Sequence, residues 1–229
     1  MLAFRSALAL GLLVLGSHAS AKAADDAKKT ADRWEPAIAA FEAQDAKALP
    51  DKGGIVFVGS SSIVGWNLKE SFPDLPVIKR GFGGSQLADS VQYAKRIVTK
   101  YEPKTVVLYA GDNDLKAGKS AETVAKDFDD FVALVRESLP KTKIIFIAIK
   151  PSPSRWDLID TQRKTNQMVR ERCEKGDNLV FFDIEKPMLN DQGQPRAELF
   201  KPDNLHLNEE GYKLWTSLLR PHLVADKSE

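Results

Sequence analysis

The sequence predicts a three-layer α/β/α domain built on a five-stranded parallel sheet, and three observations carry that prediction. Five short apolar runs, rich in β-branched or aromatic residues, stand at Ile55–Val58, Val77–Ile78, Thr105–Tyr109, Lys143–Ile149 and Leu179–Phe182. The runs are continuous rather than alternating, which is the pattern of strands covered on both faces. Polar stretches of helical period lie between and after the later runs, so strand and helix alternate in the order that builds parallel crossovers. A chain of 229 residues with 43% hydrophobic content is long enough to bury one substantial core, and one domain is the simplest organisation.

In chain order, residues 1–21 are expected to be an export signal. Arg5 supplies the charge, Ala7–Leu15 the short apolar core, and Ala19-Ser20-Ala21 a small-residue cleavage site. That core is shorter than the roughly 20 residues a membrane span needs. No cysteine follows it, so a lipoprotein anchor is not expected. The expectation is a chain exported to the periplasm or the medium, with a single domain over residues 22–229. Trp34, Ile38 and Phe41 recur at helical spacing and predict an amphipathic helix that ends at the turn Asp51-Lys52-Gly53-Gly54. Further helices are expected near Gln86–Lys100, Ser120–Ser138, Leu158–Glu174 and Asn208–Leu219. Ser120 and Asn208 suit N-caps, and Glu209 and Glu210 suit a helix N-terminus.

Composition removes several function classes. There are 33 basic and 32 acidic residues and no basic stripe, which argues against a nucleic-acid partner. Cys173 is the sole cysteine, so neither an intramolecular disulfide nor a cysteine-based metal cluster can form. It sits in a charged helical run with no glycine turn to present it as a nucleophile. No segment after the first is apolar enough to span a membrane.

Open α/β sheets bind ligands outside the carboxyl ends of their strands, so the loops directly after the strands carry the functional signal. After the first strand stands Gly59-Ser60-Ser61-Ser62. A serine at a tight strand-to-helix turn can be a nucleophile, or simply an N-cap. Neither G-x-S-x-G nor the Gly-Lys-Ser/Thr of a phosphate loop is present. After the second strand, Gly81-Phe82-Gly83-Gly84-Ser85 can aim a backbone N–H at a ligand or make a plain turn. It lacks the third glycine of a dinucleotide fingerprint. After the third, the carboxamide in Gly111-Asp112-Asn113-Asp114 can donate to an oxyanion, or the cluster can be turn-forming. Asp112 and Asp114 are expected to hold that loop through backbone N–H groups.

The loop Lys150–Trp156 should flank the same cleft. There Arg155 is a candidate for an anionic substrate group and Trp156 for stacking, against the plainer reading of a rigid proline loop with Trp156 in the core. Trp66 and Phe82 are candidates for an acyl pocket or for core, and Arg196, Phe200 and Lys201 for a rim. The sequence has three histidines. His18 lies in the expected signal and His222 at the far end of the last helix, which leaves His206 as the candidate general base. Asp203, three residues upstream, can accept its Nδ1–H, or can cap the final helix.

Taken together, Ser61, Gly84, Asn113 and the pair Asp203/His206 occupy strand-end loops in a fixed order. From about Gly54 onward the chain resembles the SGNH hydrolases, also called the GDSL esterase/lipase family. Their blocks centre on a serine in Gly-Asp-Ser, a glycine, an asparagine in Gly-x-Asn-Asp, and Asp-x-x-His. One departure stands out: the family's Asp before the nucleophile is Ser60 here. Alignment on Gly59 selects Ser61, with Ser60 and Ser62 as alternatives.

The resemblance implies the flavodoxin-like SGNH hydrolase fold and a division of roles. Ser61 would attack the acyl carbon, His206 would carry the proton, and Asp203 would hold the imidazole tautomer. The backbone N–H groups of Ser61 and Gly84 and the Asn113 carboxamide would receive the oxyanion. It implies no metal and no cofactor. The expected function is an exported serine esterase for short-acyl or carbohydrate-linked acyl esters such as acetyl esters. A catalytically silent glycan-binding module and an acyltransferase to a sugar hydroxyl are the alternatives.

Overall fold

The computed structural model describes residues 33–224, and the expected export segment lies outside them. The five strands are β1 (Ile55–Gly59), β2 (Val77–Gly81), β3 (Thr105–Tyr109), β4 (Lys143–Ile147) and β5 (Leu179–Phe182). All pair in parallel, in the order β2-β1-β3-β4-β5. Helix α1 covers residues 33–47. It is followed by α2 (Ser61–Gly65), α3 (Leu68–Ser71), α4 (Leu87–Ile97), α5 (Asp112–Lys116), α6 (Ala121–Ser138), α7 (Ile159–Lys175) and α8 (Glu209–Leu223).

The two-residue period of the strands sorts the core into two halves. Val56, Val58, Val106, Leu108, Ile144 and Phe146 face one side, against residues of α1, α4, α6 and α7. Phe57, Val107, Tyr109, Ile145 and Ile147 face the other, against Trp66, Phe72 and the α8 residues Trp215 and Leu219. Both faces are therefore covered, which is why the strands other than β2 read as nearly unbroken apolar runs. The crossover from β1 to β2 (α2 and α3) lies on one face and that from β2 to β3 (α4) on the other. The chain thus turns back across β1, and the loops after β1 and β3 part at a topological switch point, the place where open α/β sheets bind ligands.

Gly59 makes the first of these loops possible. Its φ is +135°, and a Cβ there would lie 2.0 Å from the Tyr109 carbonyl oxygen. Only glycine lets β1 stay paired with β3 to its last residue and then turn into α2.

Strand β2 runs three residues beyond the expected Val77–Ile78 because Lys79 and Arg80 are strand residues whose charges are locally satisfied. Lys79 Nζ donates to the carbonyls of Val64 (2.9 Å) and Trp66 (3.0 Å). Buried Arg80 meets Asp45 of α1 at 2.5 Å and Tyr101 Oη at 2.7 Å. Helix α8 continues past the expected Leu219 with Pro221 in its last turns. Side chains of Ser120 and Asn208 accept the N–H of Thr123 (3.2 Å) and Gly211 (3.1 Å) as N-caps. Cys173 is buried on α7, and burial pushes its thiol up to about 12. Among the described residues no helix is long and apolar enough to cross a membrane.

Candidate active site

The β1–α2 turn presents one serine of the three. Ser60 is buried and its N–H donates to the Tyr109 carbonyl at 3.0 Å. Ser62 is buried too, and its carbonyl accepts from Tyr212 Oη at 2.9 Å. Ser61, the first residue of α2, is half-buried, and its Oγ lies 3.0 Å from His206 Nε2. As the first helical residue it has a backbone N–H with no intrahelical acceptor, so that donor points out of the helix end.

The Asp203–His206 loop orients the imidazole with a single carboxylate. Asp203 Oδ1 accepts the backbone N–H of Leu205 and of His206, each at 2.9 Å, which closes the turn. Asp203 Oδ2 lies 2.7 Å from His206 Nδ1. Nδ1 donating to a carboxylate leaves the Nε2 lone pair for the Ser61 hydroxyl. Asn204 takes a left-handed φ of +56°, which asparagine tolerates. Lys201 N–H closes the loop onto the His206 carbonyl at 2.7 Å.

The hydrogen bond from the His206 ring, joined by the two backbone N–H groups, holds the Asp203 carboxyl well below the usual carboxylate range. A depressed folded-state pKa adds stability above the unfolded value of about 3.9, and that contribution is lost as pH falls toward the folded value. The stability gap between wild type and Asp203→Asn, measured by urea unfolding, should therefore shrink as pH falls below about 4. A gap that instead grew toward low pH would reverse this assignment.

The glycine loop after β2 runs close to Ser61. Gly84 is exposed with φ +79°, and its neighbour Gly83 runs beside the nucleophile turn: a Cβ at Gly83 would lie 3.9 Å from Ser61 Cβ. Trp34 of α1 backs this loop, since a Cβ at Gly84 would come 3.3 Å from its ring. Asn113 reaches the same loop: its Nδ2 donates to the Ser85 carbonyl at 2.9 Å. Asp114 is fully buried and accepts the Leu87 N–H at 3.1 Å and Lys119 Nζ at 2.9 Å, which pins the start of α4. Asp114 thus bonds a backbone N–H, but that of Leu87 rather than one of its own loop as expected.

Asp112 does not hold backbone. Its carboxylate is buried against Lys150 Nζ (3.0 Å) and Arg155 Nη1 (2.6 Å), with Tyr109 Oη at 3.4 Å. A buried anion needs cations, and the loop after β4 supplies two. Arg155 accordingly turns inward, 9% exposed, and does not face a ligand; its Nη2 donates to Asn113 Oδ1 at 3.0 Å. Trp156 is half-buried rather than core, with the Arg163 guanidinium 5.9 Å from its ring. Trp66 and Phe82 are core residues at 0% and 2% exposure, which leaves them out of an acyl pocket. At the proposed rim, Phe200 is buried, Lys201 is exposed, and Arg196 pairs with Glu198 at 2.8 Å.

Sequence reasoning passed over Lys150 and Tyr212. A lysine directly after an apolar run is itself a signal, because a buried ammonium must find a partner. Among the described residues no cluster of His, Cys, Asp or Glu could hold a metal ion. The site thus sets a hydroxyl, an imidazole and a carboxylate in line, with a glycine loop beside the hydroxyl and a carboxamide bonded to that loop.

The chain is 27% identical over 192 residues to rat platelet-activating factor acetylhydrolase IB subunit alpha2, covering 79% of each chain. A solved GDSL-like lipase from Bacteroides thetaiotaomicron superposes with a TM-score of 0.70 at 19% identity, over 81% of this chain and 96% of that one. A family 3 carbohydrate esterase from Clostridium thermocellum superposes with a TM-score of 0.60 at 16% identity, over 76% and 100%. These structural likenesses show a shared fold. The profile of the GDSL-like lipase/acylhydrolase family matches residues 57–214, more than half of the sequence, and the chain belongs to that family.

Proposed function

We propose that the protein is an exported serine esterase that hydrolyses short-acyl esters of carbohydrates or similar polar alcohols through an acyl-enzyme. The observation that carries this reading is the continuous path Asp203 Oδ2–His206 Nδ1 (2.7 Å) and His206 Nε2–Ser61 Oγ (3.0 Å). Ser61 Oγ attacks the acyl carbon while its proton passes to Nε2. The carbonyl π electrons move to the oxygen, which is received by the Ser61 and Gly84 N–H groups and by Asn113 Nδ2. Collapse of the intermediate expels the alkoxide, which takes the proton from His206. Water, deprotonated by His206, then cleaves the acyl-serine.

Two findings support the substrate class. The curated relative's name is that of an acetylhydrolase, and a solved neighbour is a carbohydrate esterase. The charged, apolar and small-residue order of residues 1–21 supports export.

The test is labelling of the purified mature protein with a fluorophosphonate, with the adduct located by mass spectrometry. An adduct on Ser61 that is absent from His206→Ala is the expected result. Folded protein with no adduct on Ser60, Ser61 or Ser62 would favour a catalytically silent glycan-binding module.

A further inference from the structure

We propose that Arg155 is a positioning residue of the oxyanion hole: buried against Asp112 and Lys150, it fixes and polarises the Asn113 carboxamide. The proposal rests on the reading of Asn113 as an oxyanion donor. A carboxamide can turn over and exchange its oxygen for its nitrogen, so a donor of this kind needs something to decide which end faces the substrate. Two contacts decide it here. The guanidinium has five donors and no acceptor, so the group 3.0 Å from Arg155 Nη2 must be the Asn113 oxygen. The Ser85 carbonyl can only accept, so the group 2.9 Å from it must be the nitrogen. One N–H of Asn113 is thereby spent on Ser85 and the other is left for the oxyanion.

Arg155 is itself fixed. Its Nη1 lies 2.6 Å from Asp112 Oδ1, an ion-pair contact off the ideal hydrogen-bond axis. Its backbone N–H donates to the Ser152 carbonyl at 3.2 Å. Asp112 is held in turn by Lys150 at 3.0 Å. Asp112, Lys150 and Arg155 are 4%, 1% and 9% exposed, so the guanidinium acts on Asn113 with little screening by water. A cation on the amide oxygen draws electron density from the nitrogen and makes its N–H a stronger donor, an effect that grows as negative charge develops on the oxyanion. Arg155 touches neither nucleophile nor imidazole, and its influence on rate runs through Asn113.

Charge balance makes the position testable. Asp112, Lys150 and Arg155 sum to one net positive charge, so Arg155→Met leaves Asp112 and Lys150 as a neutral buried pair and the fold should persist. The experiment compares wild type, Asn113→Ala, Arg155→Met and the double variant. It measures kcat and KM for p-nitrophenyl acetate, the rate of inactivation by a fluorophosphonate, and the melting temperature. Arg155→Met should lower kcat and the inactivation rate by about 10- to 100-fold, as loss of an orienting partner does. That is less than the roughly 100- to 1,000-fold expected for loss of the donor itself. KM should stay within about twofold.

The discriminating result is the double variant, which should match Asn113→Ala alone, because a positioning residue has nothing left to position. A fold defect or a direct substrate contact would instead multiply with Asn113→Ala, and that outcome overturns the proposal, as does an unchanged kcat in Arg155→Met. An unchanged kcat in Asn113→Ala would overturn the underlying reading of Asn113 instead. Should Arg155→Met not fold, Arg155→Lys keeps the charge beside Asp112 but cannot span both Asp112 and Asn113, and it should show the same non-additivity.

Discussion

Replacing Ser61 with alanine should lower kcat on p-nitrophenyl acetate by about 10⁴- to 10⁶-fold while leaving the melting temperature nearly unchanged. The two halves of that expectation have separate causes. Ser61 Oγ is half-exposed, and its hydrogen bond is to His206 across the cleft, so its removal empties no packed volume. Neither neighbour can take over. Ser60 and Ser62 are 3% and 2% exposed, and the Ser62 backbone is tied to Tyr212. His206→Ala should cost about as much, and the double variant little more, because nucleophile and base act as one unit. Retention of more than about 1% of kcat in Ser61→Ala would place the nucleophile elsewhere in the turn, since such a rate exceeds what an oxyanion hole alone sustains.

The part of this molecule that reads directly from sequence is the part built from local signals. Four of the strands are legible because a strand buried on both faces is apolar along nearly its whole length, whereas β2 has that texture only at Val77 and Ile78. The Asp203–His206 arrangement is legible because its partners are three residues apart in a turn-forming stretch. The nucleophile turn is legible as a place, since Gly59 closes the first strand. Which serine faces the histidine is a matter of side-chain direction over 145 residues of separation, and that needs the fold.

Charge is where sequence reading loses its grip. Lys79 and Arg80 read as a loop because a charged pair ends an apolar run. Their partners are backbone carbonyls and Asp45, which is 35 residues away in another layer. Arg155 reads as a candidate for an anionic substrate group or as part of a plain proline loop, and its partner Asp112 is 43 positions earlier in chain order. A single charged residue carries no mark of the opposite charge that will bury it. The helices α2, α3 and α5, of four or five residues, are too short to display a helical period, yet two of them carry the serine and the asparagine.

Asp112→Asn should be the most destabilising single exchange among the polar residues around the site, at about 3–5 kcal/mol. Burial alone would raise the Asp112 pKa, but the charges of Lys150 and Arg155 outweigh burial and hold the carboxyl below its usual range. The aspartate is therefore an anion whenever the protein is folded near neutral pH, and its contribution is lost only as pH falls below the ordinary carboxylate range. The same field acts in reverse on Lys150. Burial would lower its pKa, yet Asp112 holds it above the usual lysine value.

Neutralising Asp112 strands two buried cations with no counter-charge between them. Lys150→Met removes one of those cations and leaves Asp112 and Arg155 in balance, with Tyr109 Oη still 3.4 Å from the carboxylate, and so should cost less than Asp112→Asn. Urea unfolding of the two variants decides the point, provided the slope with denaturant stays that of wild type. If Lys150→Met were the more costly, or Asp112→Asn lay within about 1 kcal/mol of wild type, the cluster would not be held by its anion. The cations would then be satisfied by solvent that reaches them through the cleft, and Arg155 would lack the fixed anchor from which it orients Asn113.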